Sequence, residues 1–76
     1  MTTCELKPGQ SGTIVKIDAS PAIRQRLLDM GILPSVQVQF ERTTLTGDPI
    51  WLRVQDYQVS LRREEAESVL VEVNEN

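Results

Sequence analysis

The segment from Ser20 to Pro34 carries the residue types that begin and end a short helix. Ser20 can accept a hydrogen bond from the first turn, and Pro21 stands at the first helical position, where its missing N–H costs nothing. At the other end, Gly31 can adopt the left-handed conformation that terminates a helix, and Pro34 prevents the helix from resuming. The sequence therefore predicts one short helix with both ends marked.

One face of this predicted helix is apolar. Ile23, Leu27 and Met30 recur at helical spacing, which is typical of a helix that covers a core. Leu28 lies about 100° around the helix from Leu27, on the side of Arg24. Leu28 therefore either widens the buried face or is partly exposed beside a charge, and the sequence leaves both interpretations open.

Segments with strand character surround the helix. Residues 13–17 are rich in β-branched side chains and predict a first strand. Ile14 lies outside the face of Val15 and Ile17, which predicts that the strand is covered on both sides for part of its length. A turn-rich loop over residues 43–49 reverses the chain direction, so the strands on either side of it are expected to be antiparallel. Three later segments alternate apolar and polar residues with a period of two, which predicts half-buried strands. Their apolar members are Val36, Val38 and Phe40, then Ile50, Leu52 and Val54, then Val59 and Leu61.

The last part of the chain completes the predicted architecture. Residues 63–68 favour about one turn of helix, and the apolar run that follows predicts a final strand. The fold class is therefore mainly β, a small barrel of about five antiparallel strands with the capped helix at one end. The fold is expected to begin near Leu6, so that residues 6–73 form a single domain and residues 1–5 and 74–76 are flexible ends.

Composition limits the kind of site this chain can carry. It has 76 residues, a net charge of −3, one cysteine and no histidine. Without a histidine or a second cysteine, neither a zinc finger nor a disulfide framework is available, and no metal site or cofactor is predicted. The acidic balance argues against a nucleic-acid partner, because phosphate binding depends on clustered Lys and Arg.

Catalysis and membrane insertion are not predicted either. The chain has no histidine for general base chemistry, no glycine-rich phosphate loop and no nucleophile elbow, so we do not expect an enzyme. It has no leader and no run of about 18 apolar residues, so direct membrane insertion is not expected. The single cysteine, Cys4, suits a reducing compartment, which indicates a cytoplasmic protein.

Several fragments of the chain occur together in a characteristic order and spacing. They are Ser20-Pro21-Ala22, Arg24, Leu27, Met30-Gly31-Ile32 and Pro34, then Gly47-Asp48-Pro49-Ile50, then Leu61-Arg62-Arg63, Ala66 and Val71. Their order and spacing resemble the FeoA family, and the strongest fragment is the helix and its exit toward Pro34. The resemblance implies an SH3-like barrel and a small cytoplasmic component of bacterial ferrous-iron uptake, which acts on the membrane transporter FeoB through its cytoplasmic G-protein region.

One position departs from the pattern of that family. A glycine usually follows the proline of the helix exit, whereas this chain has Ser35. A turn that demanded a positive φ would be strained by serine, so either the turn is of another type or the local path differs. A related SH3-like domain also occurs at the end of iron-dependent repressors. The alternative function is therefore that of a metal-sensing or metal-binding domain. Asp and Glu oxygens can hold Fe(II), but the missing histidines give that alternative no clear ligand set.

The favoured hypothesis is a noncatalytic interaction module that binds a protein partner through the helix and the adjacent surface. Aromatic and arginine side chains are enriched at the energetic centres of interfaces, which makes the tryptophan on the polar side of its strand the most informative candidate. That tryptophan could alternatively cover a secondary apolar cluster. The predicted partner-binding residues are Arg24, Arg26 and Leu28 on the helix, Leu33 at its exit, and Trp51.

Overall fold

The computed structural model describes residues 1–74, which form a five-stranded antiparallel sheet with two short helices. The sheet order is β4-β3-β2-β1-β5. This confirms the predicted mainly β class, with a capped helix after the first strand and one turn of helix before the last. The elements are β1 (Ser11–Ile17), α1 (Pro21–Asp29), β2 (Gln37–Thr43), β3 (Ile50–Val54), β4 (Tyr57–Leu61), α2 (Arg63–Ala66) and β5 (Val69–Val73), preceded by a 3-10 turn at Thr3–Glu5.

Both predicted ends of α1 are confirmed. The Ser20 hydroxyl accepts a hydrogen bond from the backbone N–H of Ile23 at 3.4 Å, and Pro21 begins the helix. At the exit, Gly31 has φ +83°, and the N–H of Ile32 donates to the carbonyl of Leu27 at 2.9 Å. This closing bond, with a left-handed residue before it, is the Schellman arrangement.

The core lies inside the bent sheet and is closed by the two helices. Alternate residues of β2 and β3 point into it, as their period-two pattern predicts. From α1 and its exit, Leu27 and Ile32 enter the core completely. The buried apolar residues are Leu6, Ile14, Ile17, Leu27, Ile32, Val38, Phe40, Ile50, Leu52, Val54, Leu61, Ala66, Val69 and Val71.

The predicted faces of β1 are wrong. Ile14 and Ile17 are both buried, whereas Val15 is 47% exposed. The pairing of β1 with β5 shifts between Ile14 and Lys16, which is a β-bulge. Because a bulge inserts one unpaired residue, it reverses the alternation of side chains and allows two residues three positions apart to face the same core.

Residues 1–5, which we expected to lie outside the fold, are packed against it. The side chain of Thr3 is fully buried and its hydroxyl donates to the carbonyl of Ala66 at 2.7 Å. The N–H of Val71 donates to the carbonyl of Met1 at 2.7 Å, so the start of the chain covers part of the outer edge of β5. At the other end, the N–H of Asn74 donates to the carbonyl of Ser11, and the prediction for residues 75–76 lies outside the described residues.

The structure shows which backbone conformation Ser35 adopts after the helix exit. Ser35 has φ +75°, so the serine itself occupies the left-handed region that a glycine would adopt without strain. Its N–H donates to the carbonyl of Ile14 at 2.7 Å, and the N–H of Ile14 donates to the carbonyl of Val36 at 2.9 Å. These two bonds hold the segment after α1 against β1.

Candidate partner-binding surface

Helix α1 exposes most of its surface. Of its nine residues, only Leu27 is buried, whereas Leu28 is 37% exposed. Leu28 therefore belongs to the surface, which resolves the two interpretations that the sequence left open. Leu33, just beyond the helix, is 40% exposed. Because the Schellman turn folds the chain back after Gly31, these two leucines flank the end of the same helix.

Tyr57 is a third exposed residue at this end of the helix. Its hydroxyl donates a hydrogen bond to the carbonyl of Met30 at 2.8 Å, and its side chain is 41% exposed. We call Leu28, Leu33 and Tyr57 the helix-exit surface. Sequence reasoning missed Tyr57, because it lies 27 residues from Met30; the available signal was an aromatic residue directly after a tight turn.

The two arginines of α1 have different surroundings. Arg26 forms an ion pair with Glu65, with 2.6 Å between Nε and Oε2, and the Glu65 side chain is only 7% exposed. The second oxygen of this carboxylate accepts from the backbone N–H of Arg62 at 2.9 Å, so Arg26 ties α1 to α2. Arg24 is exposed and forms no ion pair within residues 1–74. It lies four residues before Leu28, on the same face of the helix.

Trp51 lies on a different surface from the helix residues. Cross-strand partners project to the same face of a sheet. Trp51 pairs with Ser60 and lies on the outer face, whereas Tyr57 pairs with the buried Val54 and lies on the core side. Trp51 is half-buried, and the guanidinium of Arg42 stacks over its ring at 4.0 Å from the centroid. The five predicted partner-binding residues are therefore not brought together.

A charged group continues this outer face beside Trp51. Glu41 accepts hydrogen bonds from the amide of Gln58 and from Nε of Arg53, the latter at 3.0 Å. The donating amide, followed by the donating guanidinium, lowers the pKa of the Glu41 carboxyl below its usual value. The outer face is thus occupied by paired polar groups, and the exposed apolar side chains at the end of α1 are a separate feature.

Metal-ligating residues are dispersed in the part of the chain that the structure describes. No three Asp, Glu, Cys or His side chains of residues 1–74 come close enough together to hold a metal ion. Cys4 is half-buried, and its thiol contacts the carbonyl of Arg63 at 3.7 Å. Burial raises the pKa of this thiol.

Neither helix of residues 1–74 has the length and apolar character needed to span a membrane.

The sheet order, the bulged first strand and the single turn of helix before β5 define a small SH3-like domain. The FeoA domain model matches residues 1–73. The chain therefore belongs to the FeoA family, whose members are accessory domains associated with Fe(2+) transport, and the resemblance seen in the sequence is confirmed.

Two curated relatives match almost the whole chain. A fusion protein of Fe(2+) transport protein A and the Fe(2+) transporter FeoB from Porphyromonas gingivalis is 34% identical over 73 residues, which are 96% of this chain and 9% of the fusion protein. A protein from Campylobacter jejuni with the name Fe(2+) transport protein A is 32% identical over 71 residues, which are 93% of this chain and 96% of that protein. The chain thus spans a small part of the first relative and nearly all of the second.

Solved structures show the same fold. An FeoA-like protein from Clostridium acetobutylicum has a TM-score of 0.89 at 32% identity, covering 100% of this chain and 88% of that one. The FeoA of Stenotrophomonas maltophilia, solved with zinc and described as an SH3 domain protein, has a TM-score of 0.82 at 28% identity, covering 95% and 89%. A manganese-dependent transcriptional repressor reaches 0.90 at 18% identity, covering 97% of this chain and 36% of the repressor, and shows likeness of fold alone.

Proposed function

We propose that this chain is a noncatalytic interaction module of ferrous-iron uptake that binds the cytoplasmic G-protein region of FeoB and modulates it. The observation that carries the proposal is the fusion in Porphyromonas gingivalis, where a sequence 34% identical to this chain shares one polypeptide with an Fe(2+) transporter FeoB. Domains joined in one polypeptide meet at high effective concentration. A separate chain with the same role needs a binding surface to achieve comparable occupancy.

The helix-exit surface supports the proposal physically. Its three residues are between 37% and 41% exposed, and Arg24 lies on the same face of α1 as Leu28. An apolar centre containing an aromatic residue, with an arginine at its margin, is the composition enriched in protein interfaces. We therefore assign the primary contact to Leu28, Leu33 and Tyr57, with Arg24 at the rim.

The other predicted contacts have lesser roles in this proposal. Arg26 contributes indirectly: its guanidinium is paired with Glu65, and this ion pair holds α1 in position against α2. Trp51 lies on the outer face of the sheet under Arg42, so it contributes only to a partner large enough to reach around β4. The proposed role requires the chain to be cytoplasmic, which agrees with its unpaired cysteine, and it requires no catalytic group.

A calorimetric titration of this chain against the purified cytoplasmic region of FeoB tests the proposal, with and without Fe(II) and in each nucleotide state. Saturable binding without iron is the expected result. The absence of binding in every nucleotide state would overturn the proposal. Binding that requires Fe(II), or Fe(II) binding by this chain alone, would favour the metal-sensing alternative and make its carboxylates the next residues to change.

A further inference from the structure

The two outer edges of the sheet differ in how far their backbone groups are paired. Met1 and Thr2 cover part of the outer edge of β5, through the bond from the N–H of Val71 and a bridge between Thr2 and Leu70. The outer edge of β4 has no backbone partner within residues 1–74. Unpaired edges template pairing with another chain unless charge, proline or a bulge blocks them.

Strand β4 has none of these blocking features. Its sequence, Tyr-Gln-Val-Ser-Leu, contains no charged residue and no proline. Its pairing with β3 is continuous from Ile50↔Leu61 to Val54↔Tyr57, without a shift. Natural sheets usually protect an edge of this kind, so an open and regular one suggests a partner strand.

The hairpin geometry shows which backbone groups are available. The turn between β3 and β4 is only two residues long, so the closing pair of Val54 and Tyr57 exchanges hydrogen bonds. Alternate residues of β4, Gln58 and Ser60, therefore point their N–H and C=O groups away from β3. Both residues are exposed.

These two outward residues are related by symmetry about Val59. If two copies of β4 meet antiparallel with Val59 opposite Val59, Gln58 of each copy lies opposite Ser60 of the other. All the outward N–H and C=O groups of both strands then pair, whereas a shift by two residues leaves half of them unpaired. Closed two-fold pairing of this kind is the usual geometry of homodimers.

Charges at the two ends of β4 select the same alignment. Asp56 precedes the strand and Arg62 follows it, and both are exposed. Neither forms an ion pair within the described part of the chain. In the alignment centred on Val59, Asp56 of each copy lies opposite Arg62 of the other, so opposite charges meet at both ends. The backbone of Arg62 is still extended, at φ −62° and ψ 150°, which continues the direction of the strand.

We propose that β4 pairs antiparallel with β4 of a second copy of this chain, with Val59 at the two-fold axis and Asp56 opposite Arg62. The two five-stranded sheets then form one continuous sheet. A pair of five-residue strands buries less than the roughly 1,600 Å² of a standard interface. The dimer is consequently weak and depends on concentration, and salt weakens it further by screening the terminal charge pairs.

Sedimentation equilibrium of the full chain, from about 10 µM to about 1 mM, tests this pairing over the range expected for an interface of this size. Wild-type protein should show a monomer–dimer equilibrium. Asp56→Arg places two arginines together at each end and should raise the dissociation constant about tenfold or more. Asp56→Arg combined with Arg62→Asp exchanges the charges and should restore dimerisation. Asp18→Arg, the same change at an exposed aspartate outside β4, is the matched control.

Ser60→Pro is the second variant, since it removes one outward N–H and should abolish the dimer. Circular dichroism shows whether this variant folds; if it does not, the charge exchange alone decides, because it leaves the backbone groups intact. A monomer at all concentrations would overturn the proposal. A dimer equally stable in Asp56→Arg and in the charge-exchanged protein would also overturn it, because that dimer must use another surface.

Discussion

The hydroxyl of Tyr57 lies 2.8 Å from the carbonyl oxygen of Met30, and this hydrogen bond ties the first residue of β4 to the last turn of α1. The tyrosine passes directly over Gly31, where an added Cβ would lie 2.0 Å from the hydroxyl oxygen. The end of α1 at Gly31 and the side chain of Tyr57 therefore pack as one arrangement.

Gly31→Ala and Tyr57→Phe should therefore be strongly coupled. Gly31→Ala alone should cost roughly 3 kcal/mol or more of unfolding free energy, from both the positive φ and the clash with the hydroxyl. Tyr57→Phe alone should cost about 1 kcal/mol, the value of one hydrogen bond. The double variant lacks the hydroxyl that clashes with the alanine methyl group. The loss of unfolding free energy caused by Gly31→Ala should therefore be about 1 to 2 kcal/mol smaller in the Tyr57→Phe background than in the wild type. Urea denaturation of the four proteins measures this cycle, and simple additivity would contradict the packing described.

Ser35→Gly should stabilise the protein. Ser35 is held at φ +75°, where a non-glycine residue is strained by about 1–3 kcal/mol, and glycine loses only part of that gain through its greater freedom when unfolded. We expect a net gain of about 1 kcal/mol in urea or thermal unfolding. Ser60→Gly, in a regular strand, is the control and should destabilise; a loss of stability at both positions would refute the strain argument.

Arg26→Ala should destabilise the fold more than Arg24→Ala does. Arg26 compensates the nearly buried Glu65 carboxylate, whereas Arg24 has no ion pair in residues 1–74. Since the Arg26 side chain is 61% exposed and solvent screens its charge, we expect a loss of about 1 to 2 kcal/mol of unfolding free energy for Arg26→Ala and close to zero for Arg24→Ala. Chemical denaturation measures both. For binding to FeoB the order should be reversed, so that Arg24→Ala weakens binding more than Arg26→Ala does. Equal unfolding free energies of the two variants would contradict the structural role of Arg26.

Glu41 should contribute a pH-dependent part of the stability. Its pKa is lowered from the ordinary value of 4.5, because the Gln58 amide and then the Arg53 guanidinium donate to the carboxylate. The folded state thus binds this proton less readily than the unfolded state, so the contribution is present above about pH 4.5 and is lost as the pH falls through the lower folded pKa. The stability difference between wild type and Glu41→Gln should shrink on acidification. Glu64→Gln, on the exposed part of α2, is the control; a difference independent of pH would contradict the assignment.

Leu28→Asp should leave the fold intact and weaken binding to FeoB. Its side chain is 37% exposed, so the substitution removes an interface contact without creating a core cavity, and a central contact is worth about 2 kcal/mol, or roughly thirtyfold in affinity. Leu45→Asp is the matched control, because Leu45 is fully exposed in the loop between β2 and β3. The titration described above measures both variants. Unfolding of Leu28→Asp would assign this leucine to the core.

Local chemistry in the sequence predicted those features that depend on neighbouring residues. The helix ends at Ser20 and Gly31 follow from side-chain capping and backbone freedom, and the alternation of Ile50, Leu52 and Val54 follows from the strand period. The faces of β1 were mispredicted because a bulge depends on the partner strand, which the sequence of β1 does not reveal.

The features that the sequence did not predict depend on contacts between residues far apart in the chain. Thr3 meets Ala66 across 63 positions of the chain, so the packing of residues 1–5 had no local signal. The same is true of the candidate site: exposure of Leu28 was one of two open interpretations, and Arg26 was predicted as a free contact because Glu65 lies 39 positions later and in another element. Trp51 was correctly assigned to the outer side of its strand, but its separation from α1 depends on the bend of the whole sheet.

The start of the chain has a practical consequence for how this protein is handled. The amino group of Met1 donates to the carbonyl of Val71 at 3.4 Å, so the backbone enters the fold along the sheet. A peptide N–H can donate the same bond, and a segment added before Met1 would therefore leave beside β5 with its path already directed by the fold. An affinity tag at this end would leave beside β5, the strand at the opposite end of the sheet order from the open edge of β4.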